Sequence, residues 1–144
     1  MTYVETRETH ESPRMLRAAL WLDAVASAAM GFALLLAPPA AIAFAGLPPW
    51  LATGAGLTLI PFAAAVAWLA ARPHPPRAGV WALIGVNALW VAESAATVGA
   101  GIVEGSPLGA IALGLITLQA IAVGGFAVMQ VIGLHQTADG PALA

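Results

Sequence analysis

Apolar side chains along this chain fall into four long unbroken runs, approximately Ala18–Ala37, Leu51–Ala71, Ala78–Gly101 and Leu108–Leu134. Neither the strict alternation of a half-buried strand nor the mixed faces of a surface helix is present. A helix crossing a bilayer needs about 20 mostly apolar residues to traverse roughly 30 Å of hydrocarbon, and each run meets that length. The fourth is long enough to tilt or to emerge before it ends. The pattern therefore predicts an all-α fold, an integral membrane bundle of four transmembrane helices joined by short loops.

The polar and helix-breaking positions divide the runs at the same places. Pro38-Pro39 and Pro48-Pro49 bracket the first connection, and Pro73, Pro75 and Pro76 occupy the second. Each proline lacks an N–H and fixes φ, which forbids a continuing helix. Gly101, Gly105 and Pro107 separate the third run from the fourth, and Gly140-Pro141 lies in a short tail. Three regions follow: a polar N-terminal arm over 1–17, a four-helix membrane domain over 18–134 and a tail over 135–144. The arm, rich in Glu and Arg, reads as a short surface helix or a frayed lead.

Composition agrees. Of 144 residues, 60% are hydrophobic and 8% charged, with a formal charge of −2. Soluble domains average roughly 45–50% apolar and about 25% charged, so an ordinary soluble globule is excluded. A disordered chain and a nucleic-acid binder, which needs a basic stripe, are excluded too. The chain has no Cys, hence no disulfide, thiolate metal site or thiol redox chemistry.

Arginine sets the expected orientation. Arg7, Arg14 and Arg17 precede span one, and Arg72 and Arg77 lie between spans two and three; the other loops and the tail carry none. Cytoplasmic loops accumulate Lys and Arg, which places both termini and the Arg72–Arg77 loop on the cytoplasmic side of a plasma (inner) membrane of bacterial type. Trp21, Trp68 and Trp81 fall near the Arg-flanked ends and Trp50 near the opposite one, as headgroup-level tryptophans do; Trp90 lies deep in span three. Ala43-Phe44-Ala45 has the look of a signal-peptidase site, but the preceding apolar run is too long, holds Asp23 and follows an acidic lead. Span one is expected to stay uncleaved.

Ionisable groups inside a span are costly and tend to be sheltered or functional. Asp23 lies roughly 8 Å and Glu93 roughly 22 Å from the cytoplasmic edge at the helical rise, too far apart for a carboxylate pair. On span three, Asn87, Trp90, Glu93, Ser94 and Thr97 share an arc of about 120°. On span one, Asp23, Ser27, Met30 and Leu34 share a stripe, with Asp23 shallow enough to reach interfacial water or Arg14 and Arg17. These residues are the candidate intramembrane ligand or proton site, with Glu93, Asn87 and Trp90 at its centre. The competing reading is that Ser, Thr and Gln, including Gln119 and Gln130 on one face of span four, serve as interhelical hydrogen-bond glue. Glu104 reads as a solvated loop residue.

Other chemistry is not expected. His10, His74 and His135 lie in loops or at a span end, so no metal or haem ligand set forms, and no cofactor is implied. Metalloprotease, hydrolase and P-loop motifs are missing, which argues against an enzyme. Arg72, His74 and Arg77 are candidates for an anionic lipid headgroup. The functional expectation is a small carrier, proton-coupled through Glu93. The alternatives are a non-catalytic membrane scaffold or subunit, or a bundle that binds a lipid or another hydrophobic ligand. Gly- and Ala-rich spans two and four suit close helix approach and offer a homodimer face. Besides the bilayer and that second copy, no partner is implied.

Overall fold

The computed structural model describes residues 5–105 and 107–136, with side chains described from 14 onward apart from 103 and 104. The tail beyond Gln136 and the Glu104 side chain, on which two of the expectations above fall, lie outside the described residues. Five helices form: α1 (Glu5–Leu36), α2 (Pro39–Ala45), α3 (Pro49–Ala70), α4 (Arg77–Glu104) and α5 (Ala110–Gln136). All but α2 are long and apolar enough to cross a membrane. The proline pairs act as expected: α2 and α3 each begin on the second proline of a pair, and Pro76 precedes α4. A proline at the first helical position gives up an N–H that had no partner anyway.

Two local differences from the sequence reading have plain causes. The polar arm is not a separate surface helix, because α1 runs unbroken from Glu5 into the first span. The first connection is not a plain loop. Pro39 starts the seven-residue α2, and Gly46, at φ 71°, ends it in the left-handed conformation that favours glycine. Span two continues through Pro61 as part of α3.

α1 packs along α3 and α5, and α4 packs along α5, while α3 and α4 barely touch. Close approach depends on glycine at two crossings, α1 with α5 and α1 with α3. A Cβ on Gly133 of α5 would meet the Leu16 backbone at 2.9 Å, one on Gly56 of α3 would meet Leu35 at 2.7 Å, and one on Gly31 of α1 would meet Ile60 at 3.0 Å. At the α2 end, the Gly109 amide donates to the Gly46 carbonyl at 2.9 Å. A Cβ on Gly46 would lie 2.5 Å from the Gly109 Cα, so this clasp between two loops admits only glycine.

Polarity is inverted relative to a soluble protein. Asp23, Ser27, Asn87, Ser94 and Gln130 are buried, whereas Val25, Phe32, Leu57, Leu89, Leu118 and Ile121 are exposed. Such a surface suits hydrocarbon rather than water as the surrounding solvent. Packing is uneven along the bundle. At the arginine-bearing end, Leu16 and Leu20 of α1, Val66 of α3, Val80 and Leu83 of α4 and Leu134 of α5 form one continuous core. Toward the α2 end, the same helices enclose open space.

Candidate functional site

Asp23 is the centre of the buried polar cluster. Its carboxyl has no exposed surface. The Asn87 amide of α4 donates to Oδ2 at 2.8 Å, and the Gln130 amide of α5 donates to the same oxygen at 2.8 Å. The Ser27 hydroxyl, one turn further along α1, donates to Oδ1 at 3.3 Å. The Asn87 amide also lies 3.5 Å from the Gln130 side-chain oxygen. Three donors from three helices thus converge on one carboxyl, and among the described residues no buried polar side-chain atom is left without a partner. A carboxylate accepts only, so a ring of donors is the surrounding such a group needs in an otherwise apolar interior.

This arrangement corrects the expectation that Asp23 reaches water or the terminal arginines. Arg17 instead donates to the Arg72 carbonyl at 3.1 Å, and Arg14 is exposed. It also separates Asn87 from the group centred on Glu93. Asn87 points to Asp23, while Glu93 is exposed rather than sheltered. Gln130, set aside above as glue, is an equal member of the cluster. Its signal in the sequence was its place eleven residues after Gln119 on one face of an otherwise apolar run.

Thr97 is not interhelical glue either. It bonds back to the Glu93 carbonyl at 2.8 Å, as Thr58 does to Gly54 and Thr117 to Leu113, both at 2.9 Å. Each satisfies its hydroxyl on its own helix.

Glu93, Ser94, Thr97 and Trp90 line a cavity of about 230 Å³ in the α2 half of the bundle. Met30 and Leu34 of α1, Leu47 of the loop before α3, Leu51 and Ala55 of α3, and Leu115, Ile116 and Gln119 of α5 add to the wall. Trp90 and Gln119 also line a second cavity of about 60 Å³, together with Ser27 and Asn87. A further space of about 180 Å³ between α1 and α5 shares Ser27, Met30 and Gln119. Trp90 and Gln119 thus stand between the space beside Glu93 and the one at the edge of the Asp23 cluster.

At the arginine-bearing end, Arg72 stacks its guanidinium 3.7 Å from the Trp68 ring centroid, a cation–π contact. The Trp81 ring meets His135 edge-on at 6.2 Å. His74 and Arg77 are exposed. Arg72 thus contacts Trp68 through its guanidinium and Arg17 through its carbonyl. Among the described residues, no three His, Asp or Glu side chains converge as metal ligands would.

No family model, no curated protein and no solved structure matches this chain.

Proposed function

We propose that this chain is a small multi-pass membrane protein that binds a small, mostly apolar molecule in the cavity at the α2 end of its bundle. The observation that carries the reading is that cavity, walled by all four long helices and offering only a few polar groups within a largely aliphatic and aromatic lining. Binding sites of this kind are concave, apolar and punctuated by few polar side chains. The loosely paired α3 and α4 leave a lateral route by which an apolar molecule reaches the cavity from the acyl chains. The reading is of a binding protein, not an enzyme.

Orientation belongs to the same proposal. Arg14, Arg17, Arg72 and Arg77 gather at one end of the bundle, which by the positive-inside rule faces the cytoplasm of a plasma (inner) membrane. Both termini lie inside, and the cavity opens toward the other side. A homodimer through spans two and four would use Gly54, Gly114 and Gly125, which have open space where a Cβ would point.

Native mass spectrometry of the protein released from micelles tests the binding reading. A retained small apolar molecule in the wild type, lost when Ala55→Trp fills the cavity without unfolding the bundle, is the expected result. A wild-type chain that retains none of a panel of added apolar compounds overturns it.

A carrier is the second reading, favoured by the adjoining spaces that flank Glu93 and the Asp23 cluster and share Trp90 and Gln119. Transport would require the packed arginine-bearing end to open. In proteoliposomes, Glu93→Gln would then abolish substrate-driven proton movement while folding is retained.

A further inference from the structure

The chemistry of the cavity wall narrows the ligand further. Glu93 is the one ionisable side chain among the lining residues. No Arg, Lys or His shares the wall, and among the described residues no hydrogen-bond donor or cation contacts the Glu93 carboxyl. The other polar side chains of the wall are Ser94 and Thr97 on the same helix and Gln119 on α5, and Thr97 bonds its hydroxyl to the Glu93 backbone carbonyl. Asp23, by contrast, already has three donors and needs no further partner. Asp23 and Glu93 are thus in opposite states of satisfaction.

A carboxylate on an otherwise apolar wall favours an occupant that brings the compensating charge. An anionic occupant would meet repulsion with no basic side chain to offset it. A metal ion would need several oxygen ligands at once, and one carboxylate among Leu, Ile and Met side chains cannot supply them. A compact organic cation fits both parts of the wall. Its ammonium group pairs with Glu93, and Trp90, lining the same cavity, offers the aromatic surface to which quaternary and alkyl ammonium groups are attracted. Its hydrocarbon body fits the aliphatic remainder.

We infer that the cavity selects a small lipophilic organic cation, an alkyl- or arylammonium compound, with Glu93 as its counter-ion. The inference rests on the binding reading above and names the ligand class for that site.

Two probes of nearly equal shape separate the two claims. Benzyltrimethylammonium carries the charge, and neopentylbenzene is its neutral isostere. Equilibrium dialysis against the protein in zwitterionic nanodiscs, corrected with empty nanodiscs, measures both. The cation is expected to bind at least tenfold more tightly than the isostere. Glu93→Gln should reduce that ratio to threefold or less, with neopentylbenzene still bound. If the isostere binds as tightly as the cation, or Glu93→Gln leaves the ratio intact, the ligand class is overturned. Loss of neopentylbenzene binding in Ala55→Trp would still uphold the cavity in that case. Should neither compound bind the wild-type protein, the cavity reading fails and the ligand class fails with it.

Discussion

At the scale of single residues, the Asp23 cluster behaves unlike a set of independent hydrogen bonds. Two amides share one carboxyl oxygen at 2.8 Å each, so removing either leaves a buried acid with a missing donor. Losing one partner of a buried polar group costs the desolvation of what remains, whereas replacing all partners with apolar groups of similar shape can be nearly neutral. Asn87→Leu is accordingly expected to destabilise the bundle by about 1–3 kcal/mol. The triple variant Asp23→Leu, Asn87→Leu, Gln130→Leu should recover most of that loss. Unfolding in mixed detergent micelles compares them, and a triple variant less stable than Asn87→Leu would show that the cluster stabilises the fold outright. The sequence singled out Asp23, Ser27 and Asn87, and spacing alone put the first two on one stripe. It could not join them to Gln130, because helical angles define a face and say nothing about which neighbouring helix that face meets. For the same reason Glu93 was expected to be shielded. A residue on the polar arc of α4 can still lie at the edge of a cavity rather than within the packed interior, and only the separation of α3 from α4 decides which.

At the scale of elements, helix ends were legible and helix contacts were not. Proline pairs and glycines place the span boundaries to within a few residues, since they act through the local backbone. The glycines of the spans looked alike in sequence, yet their surroundings divide them. Gly133 faces the Leu16 backbone with no room for a Cβ, while Gly125, eight positions earlier on α5, has nothing within 4 Å. Gly133→Ala is therefore expected to push α1 and α5 apart at a cost of about 1–3 kcal/mol. Gly125→Ala should change stability by less than about 0.5 kcal/mol in the isolated chain. Equal effects in a detergent unfolding series would place the α1–α5 crossing elsewhere. The clasp between Gly46 and Gly109 makes a second prediction. Gly46→Ala combines a strained left-handed residue with a backbone clash. It should loosen the loops over the cavity, which would speed release of benzyltrimethylammonium in dialysis while leaving the arginine-bearing end folded.

At the scale of the whole molecule, the bundle is solid at one end and hollow at the other, and the charges follow the solid end. Leu16, Leu20, Val66, Val80, Leu83 and Leu134 close the arginine-bearing side, and Glu93, Trp90 and Thr97 line the open one. A binding protein is content with one opening, whereas a carrier must expose the same site from both sides in turn. The absence of cysteine from the chain makes that difference measurable with single thiols, since maleimides react only with thiols that water can reach. Thr97→Cys in the cavity wall is expected to label in intact cells with a membrane-impermeant maleimide. His74→Cys, on the exposed loop between α3 and α4, should label only after the cells are opened, and the reverse pattern would invert the orientation. Leu20→Cys, with no exposed surface, is the deciding position. If it stays unlabelled from either side, with or without benzyltrimethylammonium and a proton gradient, the packed end is a permanent seal and the protein holds its ligand without passing it on. If labelling of Leu20→Cys from the cytoplasmic side rises when ligand and gradient are both supplied, the seal is a gate, and the adjoining spaces between Glu93 and Asp23 are the path of a carrier.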